Sequence, residues 1–305
     1  AETEAPTMAL PAETDLRTTT ALAIDAGPSP DFIVIAGDAA FVSGVGDGVG
    51  WFDAATGDAL GSVSIPGDSC EALDSGFGAA WTATCAGAGL ARIDALTGAV
   101  STVTLDGQIP DPEASIGAGE GAVWLVVRGT PRILVRVDPV TMAVTGRFPV
   151  PGSSSAVRAG LGGVWVSDPE AGVVHRIDPA TGVVVADIRV GTRPQFLAVG
   201  EGAVWTMNQA DGTISRIDPS SNAVTATIEL GEPVQGGDIA TGGGFLWLRG
   251  SQTLLFKIDP VTNKIVARYG PSAGSGSVAA DDRAVWITAH DILRIWRLEP
   301  DGIIE

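Results

Sequence analysis

The sequence predicts an all-β fold: a seven-bladed β-propeller of four-stranded blades. Three observations predict it. An aromatic residue recurs at Phe41, Trp81, Trp124, Trp165, Trp205, Trp247 and Trp286, at intervals of 40, 43, 41, 40, 42 and 39 residues. A turn acid recurs at Asp53, Asp94, Asp138, Asp178, Asp218, Asp259 and Glu299, at intervals of 41, 44, 40, 40, 41 and 40. The segments between are short, rich in Val, Ile, Thr and Trp, and lack helical periodicity. A strand-rich repeat of about 40–45 residues is the mark of a propeller blade.

Each repeat parses into four strands. In residues 187–230, PQFLAVG is the innermost strand and AVWTMN the second. TISRID is the third and AVTATIEL the outermost. Asp-Pro-x-Thr-Gly supplies a turn: Asp accepts backbone N–H groups, Pro presets φ, and Gly or Asn tolerates positive φ. After Glu299 the chain is too short for a fourth strand. Asp15–Asp25 resembles an outermost strand, so it is expected to complete the blade of Trp286 and remove a sheet edge. The domain then spans 15–305. Residues 1–14, with no periodicity, read as a disordered tail.

The 305 residues carry 18 basic against 36 acidic side chains, a formal charge of −18. That balance excludes general nucleic-acid binding and favours solubility. No stretch is long and apolar enough for a transmembrane helix. The opening AETEAPTMALPAETD reads as a mature exported chain or a trimmed one, so an extracytoplasmic monomer is expected.

Arg92, Arg136, Arg176, Arg216, Lys257 and Arg297 occupy one repeat position, with Trp51 in the first copy. A residue present in nearly every blade is architectural: it pairs with turn acids or packs its stem across a strand. Function is expected where the copies differ, in loops at one rim of the channel. The outer-to-inner connections bring Asp31, Glu71, Glu113, Arg158, Arg193, Gln195 and Asp238. The second-to-third connections bring Asp168, Asn208, Arg249, His290 and Asp291. From these, Asp168, Arg193, Gln195, Asn208 and His290 are the expected contacts of a small ligand or protein partner.

Catalytic and metal chemistry is sparse. Two histidines and two cysteines do not make a transition-metal site, and P-loop, G-x-S-x-G and HExxH patterns are absent. His175 lies mid-strand and reads as a packing or surface residue. His290-Asp291 suits a base or ligand at the rim. Asp106, Asp111 and Glu113 are close enough in sequence to suggest a weak Ca²⁺ site.

The pattern GAVWV…G.V.RIDP.TG.VV..I.VG..P..LAVGEGAVW, clearest across residues 120–268, resembles the YVTN-type and virginiamycin B lyase-like group of seven-bladed propellers. The resemblance spans residues 27–300. The lyase of that group is Mg²⁺-dependent and opens a cyclic depsipeptide with two histidines and a glutamate on one propeller face. Here His290 alone lies at such a place. The resemblance therefore implies a non-catalytic binding module first. The alternative is a lyase or hydrolase using His290 and Asp291, with Mg²⁺. A quinone-dependent dehydrogenase rests on blade motifs alone.

Cys70 and Cys85 flank a hairpin whose turn falls near Ser75-Gly76-Phe77-Gly78, and reflection about that turn sets 70 opposite 85. Cysteines facing each other on antiparallel strands reach disulfide distance, which implies an oxidising compartment. Thiol titration of the unfolded, unreduced protein is expected to find none; two reactive thiols exclude the bridge. Its short loop limits the stabilisation to about 3 kcal/mol.

Overall fold

The computed structural model describes residues 10–300, except 26, 28, 46, 47, 85, 87, 88, 112 and 114. These residues form seven sheets in a ring, each an antiparallel meander with its first strand at the channel. The fifth blade runs Pro194–Gly200, Ala203–Asn208, Thr213–Asp218 and Ala223–Glu229, as its pattern predicts.

One contact set explains the repeat. Six tryptophans are fully buried. Five indole N–H groups donate to the glycine carbonyl ending the preceding strand, as Trp205 Nε1 does to Gly200 O at 3.1 Å and Trp165 to Gly160 O at 3.0 Å. Burial thus leaves the one polar atom of each ring satisfied. Above the ring lies the repeated cation: Arg176 stands 5.1 Å from the Trp165 centroid and Arg216 5.4 Å from that of Trp205. Several of these cations also reach the next blade. Arg136 Nη1 donates to Pro179 O at 3.1 Å, Arg176 Nη1 to Pro219 O at 2.7 Å and Lys257 Nζ to Pro300 O at 2.6 Å. Arg297 Nε and Trp286 Nε1 both reach Ala54 O, across the ring closure. The cation is architectural, but its main partners are carbonyls of the neighbouring Asp-Pro turn. Arg92 instead pairs with its own turn acid, Asp94, at 3.1 Å.

The first blade solves the same problem with apolar groups. Trp51 replaces the cation, stacks on Phe41 at 6.1 Å and covers Gly98 in the next blade's turn. The turn acids act as expected: Asp138 Oδ1 accepts from Val140 N, Thr141 N and Thr141 Oγ1. Those bonds hold its carboxyl below the ordinary range.

Ring closure follows the predicted route over a shorter stretch. Leu22–Asp25 is the outermost strand of the last blade, with Leu22 opposite Arg297 and Asp25 opposite Arg294. The segment before it differs from the expectation. Leu16–Thr18 is a 3-10 turn capped by Asp15, which accepts from Arg17 N at 2.9 Å. Glu13–Asp15 pairs in parallel with Arg268–Gly270, adding a fifth strand to the sixth blade. Residues 13 and 14 therefore belong to a sheet. Leu16 is 1% exposed and packs with Trp247, Tyr269 and Trp296. The isolated leucines of this segment carry no periodicity, so their burial against other blades is invisible in the local pattern.

The hairpin of Ser69–Gly76 and Ala79–Thr84 keeps the predicted reflection only from Leu73 to the turn. A register shift then sets Ser69 opposite Thr84. Cys70 is buried. Cys85, and with it the expected bridge, lies outside the described residues.

Leu16→Ala is expected to cost about 2–5 kcal/mol through the cavity it leaves. Deleting residues 1–26 should cost more, because it also exposes the edge of Arg294–Leu298. Thermal and urea melts check both, and an unchanged melt of the deletion would overturn the closure.

Candidate functional site

Innermost strands from all seven blades line the channel, and they approach more closely than side chains usually permit. A Cβ on Gly117 would lie 2.9 Å from the Arg158 Cα, and one on Gly119 would lie 2.4 Å from Ala159 O. Glycine at these two positions lets blades three and four meet backbone to backbone.

At one end the outer-to-inner connections open into a mouth of about 330 Å³. Asp31, Glu71 and Glu113 enter it from the first, second and third blades, and His290 from the last. Phe32 and Phe196 line its apolar side, with ring centroids 6.3 Å apart and planes tilted by 46°. Among the described residues, no Lys or Arg lines this mouth.

The carboxylates feel one another. The Asp31 carboxyl is pushed up from 3.8 to about 6, first by burial and then by Glu71, with Glu113 and Asp238 adding to the effect and His290 opposing it. Glu113 is also raised, by burial and then by Asp111 and Glu71. His290 Nε2 lies 2.5 Å from Asp291 Oδ1.

A buried cation shapes the rim. Arg249 is fully buried, and its guanidinium donates to Thr288 O at 3.0 Å, Ala273 O at 3.1 Å, Ser275 O at 3.1 Å and Gly250 O. Burial brings its pKa down to about 10, with Asp291 opposing, so it stays charged at neutral pH. It ties the loop at Ala273–Ser275 to the strand Val285–Ala289, which leads into His290. Thr288 Oγ1 in turn donates to Asp31 O.

Of the five expected ligand contacts, only His290 lines the mouth. Asp168 is 2% exposed. It accepts from Ser153 Oγ at 2.5 Å and Ala171 N at 3.1 Å, and faces His175 Nε2 at 3.5 Å. Burial pushes its carboxyl up, but these hydrogen bonds outweigh burial and hold it below the ordinary range. Asn208 is fully buried, its amide donating to Thr213 Oγ1 and Ser215 Oγ, both at 2.9 Å. Gln195 is partly buried and donates to Ser155 Oγ at 3.2 Å. Arg193 is exposed, away from the mouth lining. Asp168 and Asn208 thus organise bends between second and third strands, while Asp31, Glu71 and Glu113 form the polar mouth.

Repeat register carries the signal for this. Val34, Asp74, Arg158 and Ala198 lie opposite Phe41, Trp81, Trp165 and Trp205. Three residues before each stand Asp31, Glu71, Ser155 and Gln195, and one residue later in two of these blades stand Phe32 and Phe196. Aligning the inner strands on the tryptophan's partner thus picks out Asp31, Glu71, Phe32 and Phe196 of the mouth, along with Ser155 and Gln195 outside its lining, and it misses Glu113.

His175 is buried, with Nδ1 2.6 Å from Asp187 Oδ1. It spans the second and fourth strands of its blade, facing Asp168 on one side and Asp187 on the other. The suggested Ca²⁺ trio is not assembled: Asp106 pairs with Arg147 at 2.6 Å and Asp111 with Arg132 at 2.5 Å, while Glu113 faces the mouth. Among the described residues, no three His, Cys, Asp or Glu side chains are grouped to hold a metal ion.

No family model matches the sequence, and no curated protein does. Among solved structures, the chain is similar to BamB from Moraxella catarrhalis, with a TM-score of 0.58 and 14% identity over 88% of this chain and 81% of that one. It is also similar to Kuenenia stuttgartiensis hydrazine synthase, with a TM-score of 0.72 and 15% identity over 89% and 96%. At such identities the likeness is one of fold alone. The class is plain: this is a seven-bladed β-propeller.

Asp31 generates a pH prediction. A carboxyl raised in the folded state contributes stability fully below its unfolded pKa, and that contribution is lost as pH rises through about 6. Asp31→Asn is therefore expected to raise the melting temperature at about pH 8 and to leave it unchanged below about pH 4. Melting curves across this range check the sign.

Proposed function

We propose that the chain is an extracytoplasmic binding propeller whose channel mouth takes an organic cation, free or presented by a partner protein. One observation carries the reading. Three carboxylates from three blades share a mouth of about 330 Å³ with two phenyl rings and no lining Lys or Arg. Carboxylates attract the charge, and ring faces attract a cation within about 6 Å of their centroids. The acids are too dispersed to chelate one ion, which favours an occupant larger than a bare metal. Similarity in fold to BamB agrees with a binding role without specifying it. No helix among the described residues is long and apolar enough to cross a membrane.

A second reading rests on a different observation. His290 is oriented by Asp291 at 2.5 Å, and Asp31 titrates at about 6 beside it. That pair is suited to general acid–base chemistry near neutral pH, as a member of the virginiamycin B lyase-like group would need.

Calorimetry with tetramethylammonium, spermidine and a lysine-rich peptide distinguishes the two. Binding by at least one is expected at about pH 7.5, falling as Asp31 protonates below about 6. The double variant Asp31→Asn/Glu71→Gln should weaken it about tenfold or more, a loss of at least 1.4 kcal/mol. Binding that ignores this variant, or no binding by any probe, overturns the first reading. Hydrolysis or elimination of a cyclic depsipeptide that disappears in His290→Ala would establish the second.

A further inference from the structure

The channel holds a second chamber at its other end, about 410 Å³ in volume and walled by the innermost strands. Five charged side chains line it: Asp74 from the second blade, Arg158 from the fourth, Asp238 from the sixth, and Asp281 with Arg283 from the last. Asp74 and Arg158 stand at one repeat position, opposite Trp81 and Trp165. Five other blades place Val34, Gly117, Ala198, Ala240 and Ala279 there. The charges are departures from the repeat, so blade architecture does not require them.

Part of their bonding capacity is used locally. Arg158 Nη1 donates to Ile116 O at 2.8 Å and Val157 O at 3.0 Å. Asp74 Oδ2 accepts from Ala118 N at 2.6 Å. Asp238, 3% exposed, accepts from Ser277 Oγ at 2.6 Å and Ile239 N at 2.8 Å. Asp74 also accepts from Ser75 N, while the Nε–Nη2 edge of Arg158 has no acceptor among the described residues. No ion pair joins Arg158 to either carboxylate. Burial raises both carboxyls, and Arg158 opposes that push in each, so all three share one field. The other arginine of the chamber, Arg283, is committed to Asp38 at 2.6 Å and Asp281 at 2.7 Å.

The gap between opposite charges selects its occupant. A simple anion would pair with Arg158 and be repelled by two carboxylates. A simple cation would meet Arg158. A molecule carrying both charges avoids each cost: its carboxylate takes the open guanidinium edge side-on, in the bidentate geometry arginine favours, and its ammonium faces Asp74 and Asp238. We propose that this chamber is a second binding site, separate from the mouth, for a small zwitterion of the amino-acid type.

The test uses the full chain carrying Asp31→Asn/Glu71→Gln/Glu113→Gln, so that all three carboxylates of the mouth are neutral. Glycine, β-alanine and 4-aminobutyrate are titrated calorimetrically, since they set the two charges progressively further apart. Butylamine and butyrate supply one charge each. At least one zwitterion is expected to bind one-to-one, at least about tenfold tighter than either single-charge probe. Arg158→Gln and Asp74→Asn, added singly, should each weaken that zwitterion by about tenfold or more. Asp74→Asn keeps an acceptor for Ala118 N, so it decides the matter if Arg158→Gln does not fold. Binding by none of the zwitterions, equal binding by butyrate or butylamine, or indifference to Asp74→Asn overturns the site. Failure here leaves the mouth reading intact, because the mouth is already neutralised.

Discussion

The structure depends on the seam between neighbouring blades, where an indole, a cation and a carbonyl turn meet. A four-stranded blade has two faces and little surface of its own to cover them. The tryptophan fills the seam and hands its one polar hydrogen to a glycine carbonyl at the end of the preceding strand. The cation lies over the ring, and from Arg136, Arg176, Lys257 and Arg297 it reaches the next blade. A cation over an aromatic ring is worth about 0.5–1 kcal/mol when exposed and more when desolvated. Repeated round a closed ring, it also fixes the angle at which each blade meets the next. The Phe41–Trp51 pair shows that the seam needs a plate above a ring rather than a charge as such.

That rigid ring makes the channel available for function. With the blades held from outside, the innermost strands are free of structural duty on their channel side, and their side chains can depart from the repeat. They do so at two depths. Near the mouth, carboxylates and phenyl rings collect. Deeper, Asp74, Arg158 and Asp238 face a second space with their charges close but unpaired. The buried Arg249 belongs to a third category. It neutralises a bundle of carbonyls that would otherwise be buried unsatisfied, and it thereby holds the loop that shapes the mouth.

The same ring needs a clasp, and this chain uses more than one. Leu22–Asp25 completes the last blade, so the chain's two ends share one sheet. Glu13–Asp15 then covers the edge of the sixth blade, and Leu16 is driven into the seam between them. Arg283 adds a link from the last blade to Asp38 and Gly37 of the first. Together these remove sheet edges that would otherwise invite pairing with another chain.

By itself the sequence determined the blade count, the strand order within each blade and the route of closure. All three follow from local chemistry repeated at a fixed period: alternating apolar residues, an Asp-Pro-Thr-Gly turn, and an aromatic at one position. It also raised the expectation of function at a rim where the copies diverge. What it could not decide was which divergent residues share a space. Asp168 and Asn208 look like loop residues, yet the strand ends turn them inward to bond Ser153 and Ser215. Asp31, Glu71 and Glu113 are far apart in the chain and meet only because the ring brings three blades to one axis. Register within a blade is local and readable. Convergence across blades depends on how the closed ring points seven inner strands at a common centre, and only the tertiary structure sets that.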